Sequence, residues 1–225
     1  MPPLSDGTAI VPRDFPIERA DIAVVRLGDP ALRIVDGHSV IAFEGREVQF
    51  DFVARHQAGN ALAALHAARA LGLEVDGLVE VVFSRWRGDE IELAGGGLLV
   101  NDAYNANPMS VRAALEHLVD RAEGRRTVAV LGDMAELGPD APAYHREVGE
   151  LAAQLGVGVL VGVGPLSRET VAAAAGVPVT RWTASAAEAV KEVEALLEPG
   201  DCVLVKASRA MGLERVAEAL AAVRT

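Results

Sequence analysis

From about Val79 onward, short apolar runs alternate with stretches of helical periodicity, and that alternation leaves few folds open. Thr127 to Leu131, Val157 to Val163 and Cys202 to Lys206 are near-continuous apolar runs, the mark of strands buried on both faces. Between them, Val111, Ala114, Leu115 and Leu118 share one helical face, and Val148, Leu151, Ala152 and Leu155 share another. Asn107 can cap the first of these helices, and Pro108 suits its first position. Further helices are expected near Ser167 to Ala175, after Ser185 (with Glu188 completing a capping box) and from about Met211. Strand and helix in succession imply a parallel sheet covered by helices on both faces, so residues 77–225 are expected to form one α/β domain. Ligands of such sheets sit beyond the carboxyl ends of the strands. Chemistry is therefore expected on the loops after Asn101, Leu131 and Lys206.

Residues 1–76 carry a different pattern. Ile22 to Leu27, Leu32 to Val35, Ser39 to Phe43 and Val48 to Val53 are short β-rich runs punctuated by Gly37 and Gly45. The last two should pair as a hairpin. A helix with Ala61, Ala64, Leu65 and Ala68 on one face then runs to Gly72. No complete core is evident in this part.

The net charge of -11 opposes binding to a nucleic-acid backbone, though a few local donors can still hold one nucleotide. Cys202 is the only cysteine, opens an apolar run, and reads as a buried structural thiol; no Cys/His set has zinc spacing. No apolar stretch is long enough to span a membrane, and no signal peptide follows Met1, so the cytoplasm is the expected location.

The most informative segment is Asn101-Asp102-Ala103-Tyr104-Asn105-Ala106-Asn107-Pro108. It places a carboxylate, a phenol and three carboxamides on one loop at the end of a buried strand. An Asp there can accept hydrogen bonds from a ribose diol, and Asn offers both donor and acceptor to an amide, a carboxylate or a base edge. Turn and cap chemistry alone would account for Asn107 and Pro108 but not for the whole octet.

The octet resembles the Asp-x-Tyr-Asn-Ala-Asn-Pro motif of the D-Ala-D-Ala-adding Mur ligases. Three more segments match that family in order: His56-Gln57-Ala58-Gly59-Asn60-Ala61-Leu62-Ala63-Ala64, Gly132-Asp133-Met134-Ala135-Glu136-Leu137-Gly138 and Leu204-Val205-Lys206-Ala207-Ser208-Arg209. The resemblance covers nearly the whole chain. It implies a Rossmann-like, parallel-sheet C-terminal domain over residues 77–225. Residues 1–76 would be a β-rich remnant of the ATP-binding central domain. It further implies an ATP-dependent ligase joining D-Ala-D-Ala to UDP-N-acetylmuramoyl-tripeptide through an acyl phosphate, with ATP and Mg2+ as cofactors.

Carried over residue by residue, His56, Asn60, Arg87 and Asp102 would bind ATP, with Arg85 the close rival of Arg87. Asn105, Asn107, Lys206, Ser208 and Arg209 would shape the pocket for the dipeptide and the reacting carboxylate, because cationic groups pair with carboxylate and phosphate oxygens. Asp133 and Glu136 read as ordinary loop carboxylates, and His145 as structural.

The chain departs from the pattern at Ala54 and Ala207, where the family has glycine, and at Asn101, where it has a first Asp. Its two lysines, Lys191 and Lys206, are followed by Glu192 and Ala207, so no Gly-rich Lys-Ser/Thr phosphate loop is present. The expectation is thus a partial ligase, monomeric and without turnover alone. Its Mg2+ ligands would belong to a missing N-terminal half that could act as a partner, and no catalytic or metal residue is assigned here. The alternative is a free-standing nucleotide- or peptide-binding module. An oxidoreductase is disfavoured, because Gly95-Gly96-Gly97 precedes a strand instead of opening a helix.

Overall fold

The computed structural model describes residues 7–17, 22–53, 57–81 and 85–222. These form two compact units, dividing at Val82/Phe83. In the first unit, strands β1 (Thr8–Pro12) and β2 (Ala23–Leu27) pair in parallel. Strands β3 (Leu32–Val35), β4 (His38–Phe43) and β5 (Arg46–Phe50) form an antiparallel meander. The hairpin expected at Gly45 is present: Phe43 faces Arg46 across Glu44 and Gly45, both at positive φ (51° and 77°). That pair of conformations marks the turn whose twist matches the strands. Helix α1 (Gln57–Ala70) follows, burying Ala58, Ala61, Leu62 and Leu65. With Val40, Ile41, Val48 and Phe50 these give the unit a small core that the sequence pattern did not reveal. Strand β6 (Gly77–Val79) pairs with β5, so this unit runs past the boundary drawn at Asp76.

The second unit is the expected α/β layer structure. Strands β7 (Asp89–Glu92), β8 (Leu98–Asp102), β9 (Thr127–Gly132), β10 (Val159–Val163), β11 (Val179–Thr183) and β12 (Cys202–Lys206) form one sheet in the order β11-β10-β9-β12-β8-β7. All neighbours are parallel except the edge strand β7, which the sequence reading passed over. Helices α2 (Pro108–Ala122), α3 (Ala141–Gln154), α4 (Ser167–Ala173), α5 (Ala186–Leu196) and α6 (Glu214–Ala222) connect the strands.

The apolar runs serve both faces by strand alternation. Leu204 and Leu131 join α2 and α3 residues in one core cluster, while Val203, Val205, Val128 and Val130 join α5 and α6 residues in another. Cys202 is fully buried, and that burial pushes its thiol pKa up. The last helix starts at Glu214, after a single turn at Arg209–Met211 and a left-handed Gly212, so it begins slightly later than the pattern suggested. Ser185 caps α5 by accepting from the Glu188 N–H, but the Glu188 carboxylate takes the N–H of Ala184, one residue outside the expected box.

β7 is fastened to α2 through Glu90. His117 Nε2 lies 3.3 Å from Glu90 Oε1, and Arg121 makes a bidentate pair at 2.9 and 2.7 Å. The His117 hydrogen bond, and with it Arg121, holds the Glu90 carboxyl down at about 2, against the opposing pull of burial. A depressed carboxylate stabilises the fold above its unfolded value, and that contribution is lost as pH falls through the folded one. Stability should therefore fall between about pH 4.5 and about pH 2. In acid titrations followed by circular dichroism, Glu90→Gln should flatten this limb; an unchanged limb refutes the assignment.

Candidate functional site

The loops following β8, β9 and β12 meet beyond the carboxyl rim of the sheet. Lys206, the last residue of β12, is 2% exposed. Its ammonium donates to Asp102 Oδ2 at 2.5 Å and to the Asn105 carbonyl at 2.9 Å, drawing the octet loop down onto β12. The register makes this inevitable, since Lys206 and Asp102 are direct partners across the parallel pair.

Ser208 binds all three loops together. Its hydroxyl accepts from the Ala135 N–H (2.8 Å) and donates to the Ala106 carbonyl (3.4 Å), while its N–H donates to the Asp133 carbonyl (3.1 Å). Expected on the pocket surface, Ser208 instead sits inside the loop junction, 4% exposed. The methyl of Ala207 turns into the second core cluster, away from the rim.

The octet divides into support and surface. Asn101 is buried in β8, and Asn107 spends its side-chain oxygen on the N–H of Ser110 (2.8 Å), capping α2. The cap reading thus accounts for the oxygen of Asn107. Asn105 is exposed, its oxygen accepting from the Ala106 N–H. On the β9 side, Asp133 accepts from the N–H groups of Leu166 and Ser167, and His145 Nε2 accepts from the Met134 N–H (3.0 Å). Both are structural braces of the loop.

Arginines and aromatic rings interleave at this rim. The Arg87 guanidinium lies 3.9 Å over the Tyr104 ring, and Arg209 lies 4.3 Å over the Trp86 ring, with Arg85 at 5.5 Å from the same ring. Arg209 also donates to Glu214 at 2.6 Å. Trp86 adopts a left-handed backbone (φ 66°), which costs a bulky L-residue about 1–2 kcal/mol. Two backbone hydrogen bonds impose it: the Trp86 N–H donates to Asp89 Oδ2 (2.7 Å), and its carbonyl accepts from Tyr104 (3.0 Å). The sequence reading singled out Arg85 and Arg87 but missed Trp86, Asp89 and Glu214. The only sequence signal was the Arg-Trp-Arg order, which suits cation–π stacking.

Asp102, Lys206, Arg87 and Arg209 thus share one rim. Asn60 is exposed on α1 in the first unit, its amide donating to Gln57 at 2.9 Å, and His56 lies outside the described residues. Among the described residues, no group of three His, Cys, Asp or Glu side chains could hold a metal ion. None of the described helices is long and apolar enough to cross a membrane. Two cavities of about 340 and 440 Å³ open at the opposite, amino ends of the strands, around Gly97 and Leu93, away from this chemistry.

A parallel sheet with these three loop motifs at its carboxyl rim has a counterpart among known proteins. The family model described as "Mur ligase, glutamate ligase domain" matches residues 86–209, more than half of the chain. The chain belongs to the Mur ligase family. Among its relatives, the UDP-N-acetylmuramoyl-tripeptide–D-alanyl-D-alanine ligase of Mycobacterium tuberculosis is 37% identical over 202 residues, covering 78% of this chain and 40% of the relative. The Escherichia coli ligase of the same name is 35% identical over 172 residues, 74% of this chain and 37% of the relative. The crystal structure of the MurF ligase from Thermotoga maritima in complex with ADP superposes with a TM-score of 0.78 at 25% identity, covering 97% of this chain and 54% of that one. This Mur ligase chain therefore spans about two fifths of the length of the curated relatives it matches.

Proposed function

We propose that this chain is the rear part of an ATP-dependent, amide-forming ligase that adds D-Ala-D-Ala to UDP-N-acetylmuramoyl-tripeptide in the cytoplasm. The observation that carries this reading is the convergence of Asp102, Lys206, Arg87 and Arg209 on one rim of a Mur ligase fold. In the reaction, a carboxylate oxygen of the tripeptide takes the terminal phosphoryl group of ATP, releasing ADP. The amine of D-Ala-D-Ala then attacks that carbonyl carbon, and phosphate leaves as the amide forms.

The chain's own groups act by binding and orienting. Lys206 fixes the Asp102 carboxylate through Oδ2, leaving Oδ1 to accept from a ribose diol. Arg87, stiffened on Tyr104, faces the phosphates. Arg209 and Asn105 recognise carboxylate and amide groups of the substrates, Asn107 sets the start of α2 beside them, and Ser208 holds the loops in place. The described residues offer no metal cluster for Mg2+, so no step is assigned through it.

On this reading the chain acts as a monomer and turns over only with the missing phosphate-gripping part supplied. Two measurements test it. ADP should bind the chain in calorimetric titration, and Asp102→Ala should weaken that binding by about tenfold, the loss of one hydrogen bond to a charged group. Mixing the chain with an N-terminal half from a related ligase should give ADP release that depends on D-Ala-D-Ala. Binding without rescue would mark a docking module instead, and absence of binding would refute the nucleotide role.

A further inference from the structure

Trp86 stands out because its conformation is unfavourable and yet fixed from both sides. Asp89 holds its N–H, the Tyr104 N–H holds its carbonyl, and the Gly88 N–H donates to the Asn101 carbonyl at 2.9 Å, so residues 86–88 are tied to β8 and its loop. A non-glycine residue kept in the left-handed region by surrounding structure is a known mark of sites where side-chain placement matters. The ring packs against the second core cluster and presents its face to Arg209 and Arg85. Arg87, next in the chain, is directed onto Tyr104.

We infer that Trp86 is a positioning residue that holds the guanidinium of Arg209 ready for an anionic ligand at this rim. Arg209 has a half-exposed side chain (51%), and one of its terminal nitrogens is paired with Glu214. Stacking on an indole differs from an ion pair in one respect. It uses the flat face of the guanidinium and leaves the N–H groups that Glu214 does not engage to donate in plane to phosphate or carboxylate oxygens. An arginine already ordered on a ring loses less side-chain entropy when the anion arrives. In a chain of net charge -11, such ordered local cations are what an anion must rely on.

This role rests on the reading that the rim binds a nucleotide; it adds, to the carboxylate role proposed for Arg209, a contact with the phosphates of that nucleotide, and the test separates the two. Titrating ADP into the unaltered chain, Trp86→Leu and Trp86→Phe should give an affinity about tenfold lower for the leucine variant and within about threefold for phenylalanine, which keeps a ring face. A packing role alone would lower the thermal unfolding midpoint in step with the affinity, whereas loss of positioning lowers the affinity of variants that melt with the unaltered chain. A second measurement covers loss of folding in Trp86→Leu. With Trp182→Phe removing the other indole, ADP should change the emission of Trp86, and Arg209→Met should abolish that change. Equal affinity in all three chains, or emission indifferent to both ADP and Arg209→Met, overturns the positioning role. Failure of the unaltered chain to bind ADP overturns the nucleotide reading, and the positioning role with it.

Discussion

Replacing Lys206 with methionine is expected to lower the thermal unfolding midpoint by about 10 °C and to remove ADP binding along with it. The ammonium is 2% exposed and holds both the Asp102 carboxylate and the Asn105 carbonyl. Removing it strands a carboxylate that is itself only 17% exposed. Breaking one partner of such a pair costs about 3 kcal/mol or more, far beyond what an exposed pair is worth. The double variant Lys206→Met/Asp102→Asn should recover part of the loss, because the stranded charge is gone, while binding stays lost. A single variant melting within about 2 °C of the unaltered chain would show that the pair does not hold the rim together.

A comparable loss, about 3 kcal/mol, is expected at the other end of the strands on replacing Asp201 with alanine. Asp201 is 2% exposed, and its carboxylate accepts from Arg126 Nε and Nη2 (2.9 and 2.7 Å) and from the Glu198 N–H (2.8 Å). The hydrogen bond from Arg126 is the main reason its guanidinium pKa is raised. The backbones of both residues also serve the sheet. The Arg126 carbonyl accepts from Cys202, and the Asp201 carbonyl accepts from Leu98. Chemical denaturation should therefore show a lower midpoint for Asp201→Ala and a smaller loss for Asp201→Asn, which keeps two of the acceptor contacts. Nucleotide binding should survive at temperatures where the variant is folded, since Asp201 precedes β12 and the rim lies beyond its far end. Weakened binding in fully folded Asp201→Ala would contradict that separation.

The four central strands of the sheet were legible because they are written as apolar runs with little polar alternation, and a run such as Cys202 to Lys206 has no stable place except between two helix layers. The short elements were not legible. Gly77–Val79 and Asp89–Glu92 each contain too few residues for periodicity, and Asp89–Glu92 is mostly acidic. At the rim, residue identity pointed to Asp102, Lys206 and Arg209, but not to what each would touch. That Ser208 turns inward follows from backbone groups of Ala135, Ala106 and Asp133, which no side-chain pattern announces. Trp86 escaped for a related reason. Its conformation is set by one hydrogen bond to Asp89 and another from Tyr104, and each exists only once the chain has folded.

The acidic border strand has a bearing on how this molecule behaves in company. Unsheathed strand margins invite neighbouring polypeptides to extend the ladder, which is how many α/β proteins begin to aggregate. Here that margin reads Asp89-Glu90-Ile91-Glu92, and a second copy laid alongside it would bring carboxylates against carboxylates. Concentrated solutions should owe part of their clarity to this short stretch.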